Sequence, residues 1–326
     1  MVKKIALVTG GYSGESVISY KSADTIYKHI DKNKWDCYLI DIHPDGWFYR
    51  NEYGEKINVD KNDFSISEKG KKITFDAVLV GLHGTPGEDG KLQGYFDCLG
   101  IPYTSCDAAT SALTFNKRYT VAVASFAGLH VARSQHLFKH DAPTGSAILK
   151  ELSLPVFIKP NNGGSSLGMS KVNAGENLDA ALVKAFEVDE QVLVEEYISG
   201  REFTIGVFKN KGRVIALPIT EIISRNEFFD FQAKYEGASE EITPAVVDES
   251  IAQQVRDAAI KAYKVFNCRG IVRIDFIYNE TAAEPYMLEI NTVPGQSAAS
   301  IVPKQVKAMG WSLTEFYSAL IDECLL

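Results

Sequence analysis

Short apolar runs that end in glycine-rich loops punctuate this chain. Residues 4–9 (KIALVT) form one such run, Gly10 and Gly11 close it, and a helix-compatible stretch follows from Ser16 to Ile30. Further strands are predicted near Cys37–Asp41 and at Asp76–Gly81. They read as apolar on both faces, as strands of a parallel sheet covered on each side do. The first and third of these strands end in glycine-rich loops, and open α/β sheets bind ligands at such carboxyl ends. A helical pattern then runs from Ser111 to Gly128, with strands near Val156–Lys159, Gln191–Glu196 and Phe203–Phe208. A polar, aromatic-rich stretch at 224–243 is long for a compact domain, which predicts a lid. An amphipathic helix over 248–266, strands at Gly270–Tyr278 and Tyr286–Asn291, and a helical C-terminal region complete the pattern, without internal repeats.

Composition narrows the class. With 326 residues, 45% of them apolar and 23% charged, the chain reads as an ordinary globular protein of two or three domains. The net charge is −8 and the basic residues are scattered, so nucleic acid is not an expected partner, whereas an anion held by a few converging lysines is compatible. Five cysteines, odd in number and never spaced as CxxC, argue against a disulfide framework and a zinc knuckle and fit a reducing compartment. The N-terminal apolar run is too short for a signal peptide and no run reaches membrane-spanning length, so a cytoplasmic protein without a membrane anchor is expected.

Four segments carry candidate chemistry. The loop GGYSGE (10–15) could cradle a pyrophosphate before a helix, or be a tight turn with Glu15 at the helix start. A short-chain reductase would also need Tyr with Lys four positions on, and none of the 15 tyrosines has it. The loop HGTPGEDG (83–90) packs an imidazole and two carboxylates among glycines at a strand end, a better place for His83 than most. In KPNNGGSSLG (159–168), a strand-terminal lysine precedes a Gly/Ser loop that can wrap a triphosphate, without the Walker A order. Finally, alternation sets Arg273 and Asp275 on one strand face, and Glu289 and Asn291 likewise. Two carboxylates and an amide oxygen are the hard ligands that nucleotide-bound Mg²⁺ requires, and the apolar flanks speak against a solvated ion-pair ladder.

In order and spacing these segments resemble D-alanine–D-alanine ligases over roughly residues 4–310. The matching stretches are GGYSGE (10–15), LHGTPGEDGKLQG (82–94), Asn116-Lys117, KPNNGGSSLGMSKV (159–172), EEYISGREFT (195–204), AKY (233–235), RGIVRIDF (269–276) and EINTVPG (289–295). The resemblance implies a three-domain ATP-grasp fold of the α/β (α+β) class. Its parts would be an N-terminal open parallel-sheet substrate domain over 1–110, a central domain over 111–197, and a C-terminal domain over 198–326 with the lid at 224–243. It implies ATP-dependent joining of two D-alanines through an acyl phosphate for peptidoglycan precursor synthesis, with two Mg²⁺ (Mn²⁺ in their place) and a homodimer built through the N-terminal domain.

Residue by residue, the resemblance assigns ATP contacts to Lys117, Lys159, Ser166, Glu195, Glu196, Ile198, Glu202 and Lys234, and metal ligation to Asp275, Glu289 and Asn291. Glu15 and His83 would serve the first D-alanine and Ser300 the carboxylate of the second. Glu15, Ser165 and Tyr235 would form a proton network, and Arg273 with the Gly295 N–H would stabilise the oxyanion. Tyr235 favours the dipeptide over D-alanyl-D-lactate. Two departures stand out: Gly163 replaces a usual glutamate before Gly-Ser-Ser, which puts the loop's anchoring in question. Gln296 and Ser297 stand where Met and Thr are common, which points to an altered second-substrate pocket. The competing readings are another carboxylate–amine ligase, a silent nucleotide-binding relative and an NAD-dependent oxidoreductase. A silent relative would be expected to lack Lys159, Arg273 or a metal ligand, all of which are present.

Overall fold

A computed structural model describes residues 2–163, 167–224 and 239–326. The chain opens with β1 (Lys3–Gly10), α1 (Ser16–His29), β2 (Trp35–His43), β3 (Gly46–Arg50), β4 (Lys56–Asp60), β5 (Ser65–Glu68), β6 (Lys71–Ile73), β7 (Ala77–Val80) and α2 (Lys91–Leu99). Their seven strands form one sheet in the order β6-β5-β4-β3-β2-β1-β7. Only β2, β1 and β7 are parallel; the other four continue the sheet as an antiparallel meander. The pattern of the sequence missed that meander because its strands are three to five residues long and, apart from the aromatic β3, rich in polar residues. Aromatic rings hold it to the sheet: Phe64 packs edge-on against Phe96 and Trp47.

Two short helices follow, α3 (Ala108–Phe115) and α4 (Lys117–Phe126). The helical pattern expected over 111–128 is interrupted at Asn116, whose extended backbone ends α3 and whose side chain caps α4 by accepting the Tyr119 N–H at 3.1 Å. Next come β8 (Ser134–Phe138), α5 (Gly145–Ile148), β9 (Val156–Pro160), β10 (Ser170–Val172), α6 (Leu178–Phe186) and β11 (Gln191–Glu196). The four strands make an antiparallel sheet ordered β10-β9-β11-β8, with α6 packed on its apolar face through Leu178, Leu182 and Phe186.

The rest is β12 (Arg201–Asn210), β13 (Arg213–Ala216), β14 (Thr220–Ser224), β15 (Ser239–Ile242), α7 (Glu249–Val265), β16 (Ile271–Asn279), β17 (Glu284–Asn291), α8 (Ile301–Ala308) and α9 (Leu313–Cys324). This third sheet runs β15-β14-β12-β16-β17, with β13 beside β12. The end of the predicted lid is thus strand, paired to β14; Lys234 and Tyr235 lie outside the described residues, as do Ser165 and Ser166. The helix α7 lays Val255, Ala259, Ala262 and Tyr263 on β12 and β16. Phe316, Leu320 and Ile321 of α9 share a core with Ile5 and Leu7 of β1 and Ile26 of α1, so the C-terminal end of the chain closes over its beginning. Among the described residues no helix is long and apolar enough to cross a membrane.

Candidate active site

On β16 the apolar Val272, Ile274 and Phe276 face the core, which turns Arg273 and Asp275 to the opposite side. There Asp275 accepts from Arg273 Nε and Nη2, both at 2.9 Å, and from Thr204 Oγ1 at 2.5 Å on the neighbouring β12. Cross-strand pairing puts Asn291 opposite Arg273 and Glu289 opposite Asp275, with Asn291 Nδ2 3.4 Å from Asp275. Burial opposes the charge on Arg273, but Asp275 first, by charge and hydrogen bond, and then Glu289 outweigh it and raise its pKa, so the guanidinium is a fixed cation. Among the described residues no group of three His, Cys, Asp or Glu could hold a metal. The two carboxylates with the Asn291 amide oxygen, side by side on two strands, nevertheless form a hard donor set that fits Mg²⁺.

The second sheet brings its own charges to this patch. Alternation along β9 and β11 buries Ile158 and Val194 and leaves Lys159 and Glu195 together on the other face, Nζ to Oε2 2.5 Å. Burial pulls the Lys159 pKa down, yet Glu195, and beyond it Glu289 and Glu202 of the third sheet, raise it overall. One lysine therefore lies within the electrostatic reach of carboxylates from two sheets, which brings the second and third sheets together at this point. Lys117 reaches the loop that follows β9, its ammonium donating to the Gly163 carbonyl at 2.7 Å. Asn162 is fastened to Asp189 by its backbone and side-chain N–H groups at 2.7 and 2.9 Å. The described start of this loop, Asn162 and Gly163, is therefore held by the Asp189 carboxylate and the Lys117 ammonium. Glu196, next along β11, points the other way and meets Arg133 and the Ser153 N–H, so its side chain does not join Lys159. Ile198 lies in the short connection from β11 to β12.

The two N-terminal loops meet the same centre from below. Gly84 has φ +68°, which favours glycine, and a Cβ there would lie 2.5 Å from Glu15 Oε2 and Ser13 Oγ, so the two loops touch at this residue. Glu88, not singled out from the sequence beyond its place in the loop, accepts the Gly84 N–H at 2.8 Å and a backbone bond from Val293. Burial first, and then the Glu15 carboxylate, push its pKa up to about 8 against those bonds and Arg273. His83 is buried, its backbone N–H on Ser19 Oγ at 2.9 Å and its Nε2 2.8 Å from Ser22 Oγ. Burial lowers its pKa to about 4, so the ring is neutral.

At the start of α8 Ser300 Oγ lies 2.8 Å from Ser297 Oγ, and a Cβ on Gly295 would come within 2.8 Å of Ser300 Oγ. Gln296 is turned inward. Its side chain is 4% exposed, donating to the Pro294 carbonyl at 3.2 Å and accepting from Tyr317 of α9 at 3.3 Å. It is a strut between α9 and the 292–296 loop. Thr204 was also missed as a site residue; its even spacing from Glu202 on one strand was the available signal.

A mixed N-terminal sheet, an antiparallel second sheet and a third sheet that face each other across Lys159, Glu289 and Asp275 define a protein of the ATP-grasp class. The sequence pattern described as D-ala D-ala ligase N-terminus matches residues 4–106, and that described as D-ala D-ala ligase C-terminus matches residues 116–322. The chain belongs to the D-alanine–D-alanine ligase family. It is 43% identical to the D-alanine--D-alanine ligase of Flavobacterium johnsoniae over 321 residues, covering 98% of this chain and 99% of that one. With the enzyme of the same name from Parabacteroides distasonis it shares 43% over 323 residues, 99% and 98% of the two chains. Among solved structures, VanG D-Ala:D-Ser ligase from Enterococcus faecalis superposes with a TM-score of 0.89 at 32% identity, covering 99% of this chain and 100% of that one. The D-alanine--D-alanine ligase from Bacillus anthracis complexed with ATP gives 0.79 at 28%, covering 99% and 97%.

Proposed function

We propose that this ligase joins two D-alanines to D-alanyl-D-alanine at the expense of ATP, supplying a peptidoglycan precursor. The observation that carries the reading is the cluster on two paired strands in which Arg273 grips Asp275 by two 2.9 Å bonds while Asn291 and Glu289 stand opposite them. Nucleotide lies in the cleft between the second and third sheets, Lys117 and Lys159 on its phosphates, Glu195 at the adenine and Glu202 at the ribose. Glu196 and Ile198 contribute through their backbone, and Ser166 and Lys234 act from segments outside those described. Asp275, Glu289 and Asn291 hold Mg²⁺, which neutralises the phosphate oxygens when bound.

The first D-alanine is held by its ammonium at Glu15, beside His83. Its carboxylate attacks the γ-phosphate, giving an acyl phosphate and ADP. The second D-alanine, its carboxylate at Ser300, loses a proton to the network of Glu15, Ser165 and Tyr235 and attacks as a free amine. Arg273 and the Gly295 N–H then meet the charge on the tetrahedral oxygen, and phosphate leaves. Exclusion of water over this step protects the acyl phosphate from hydrolysis. We assign residues 1–110, 111–197 and 198–326 to substrate, central and C-terminal domains, and expect a cytoplasmic homodimer built through the first of them.

The test is phosphate release from ATP and Mg²⁺ with D-alanine, L-alanine, D-alanine plus D-serine, or D-alanine plus D-lactate, with products identified by mass. Release that depends on D-alanine, with D-alanyl-D-alanine as product, is expected. A mixed product formed in preference to the dipeptide would reassign the second site, and no release with any of them would overturn the reading.

A further inference from the structure

The buried polar groups around His83 form a continuous chain that the reaction scheme leaves unused. Ser22, on α1, is fully buried. Its Oγ accepts the backbone N–H of Gln296 at 3.0 Å and lies 2.8 Å from His83 Nε2. A serine hydroxyl has one proton. The Gln296 N–H can only donate, and among the described residues the Ser22 hydroxyl has no other acceptor, so the arrangement that leaves no buried O–H unpaired has it donating to an unprotonated His83 Nε2. The ring's proton is left on Nδ1, consistent with a backbone hydrogen bond from the ring to Val293. The same loop is gripped from its far side by Tyr317, whose hydroxyl donates to Gln296 Oε1 at 3.3 Å. Four groups from α1, the 83–90 loop, the 292–296 loop and α9 thus meet at one hydroxyl and its two neighbours.

We infer that Ser22 is a positioning residue: its hydroxyl fixes His83 as the Nδ1–H tautomer and fastens the backbone beside Gly295 to the N-terminal unit. The catalytic part of this inference rests on the oxyanion role proposed for the Gly295 N–H; the tautomer does not. Gly295 has no side chain to hold it, and the peptide bond that follows it is the one whose N–H Ser22 accepts. Losing the hydroxyl frees that peptide and leaves His83 Nε2 without a donor, so either ring nitrogen can take the proton.

The experiment is a two-bond ¹H–¹⁵N correlation spectrum of the whole ¹⁵N-labelled protein near neutral pH, with His83→Asn to assign one of the six histidines, alongside steady-state kinetics of Ser22→Ala. The wild-type His83 ring is expected to show a protonated Nδ1 and an unprotonated Nε2. In Ser22→Ala the Nε2 resonance moves, and kcat falls by about ten-fold or more with the KM for ATP unchanged. A wild-type ring protonated on Nε2 or on both nitrogens overturns the inference, and that spectrum needs no variant to fold. Unchanged ring shifts and kcat in a folded Ser22→Ala overturn it too. Absence of D-alanine-dependent turnover in the wild type would instead sink the proposed function, leaving the spectrum to decide the tautomer.

Discussion

Arg273 and Asp275 illustrate how far single residues can be read. Their shared face follows from strand alternation, and the structure gives them two 2.9 Å bonds in a planar fork that lysine cannot reproduce. Arg273→Lys is therefore expected to lower kcat by about a hundred-fold while circular dichroism stays native; a kcat within a few-fold of wild type would remove Arg273 from the chemistry. Glu88 and His83 make a second expectation at this scale. A carboxyl raised to about 8 keeps its proton in the folded state while the unfolded chain has lost it, so stability falls as pH rises from about 4.5 to 8. An imidazole lowered to about 4 has the opposite sign: the unfolded chain binds the extra proton, and stability rises from about pH 4 to 6.5. The two offset each other below about pH 6.5, leaving a decline up to about pH 8 of at most roughly 1.4 kcal/mol per unit. Melting temperatures of wild type and Glu88→Gln across this range check it, since the variant should lose the decline and keep the rise.

Among the elements, long apolar strands were legible and short polar ones were not. Residues 4–9 announced β1 because all its central positions are buried on both sides. The meander β3–β6 gave no such signal, since its strands are stabilised by a sheet that already exists and by aromatic contacts distant in sequence. The helix break at Asn116 was missed for a related reason. Asparagine is tolerable within a helix, and only the Asn162 amide carbonyl, 3.3 Å from Asn116 Nδ2 and 46 residues away, makes the break useful by setting Lys117 against the Gly163 loop. At the junction of the first and third sheets Gly270 has φ +60°, and a Cβ there would lie 1.6 Å from the Thr104 carbonyl oxygen. Gly270→Ala should cost at least about 2 kcal/mol, read from urea denaturation; a loss under half of that would mean the segments at Thr104 and Gly270 part freely.

At the scale of the whole molecule, the cleft joins two sheets whose charges face each other, so a bound nucleotide should hold them together. A non-hydrolysable ATP analogue with Mg²⁺, at a hundred times its dissociation constant, should raise the unfolding free energy by about 2.7 kcal/mol; no rise in melting temperature at any concentration would argue against nucleotide in this cleft. The sequence by itself determined the class: glycine loops at strand ends, a lysine closing a strand and carboxylates at even spacing each follow from backbone periodicity, which is local. It also carried the family, through eight segments in order. What only the tertiary structure decided were the matters that depend on burial and on partners far along the chain. These are the pairing of Lys159 with Glu195, the outward turn of Glu196, and the neutral states of His83 and Glu88. So too is the retreat of Gln296 into the core against Tyr317. A side chain's charge and direction are set by the surroundings that folding assembles, and a hydrogen bond between residues 22 and 296 leaves no trace in the spacing of either.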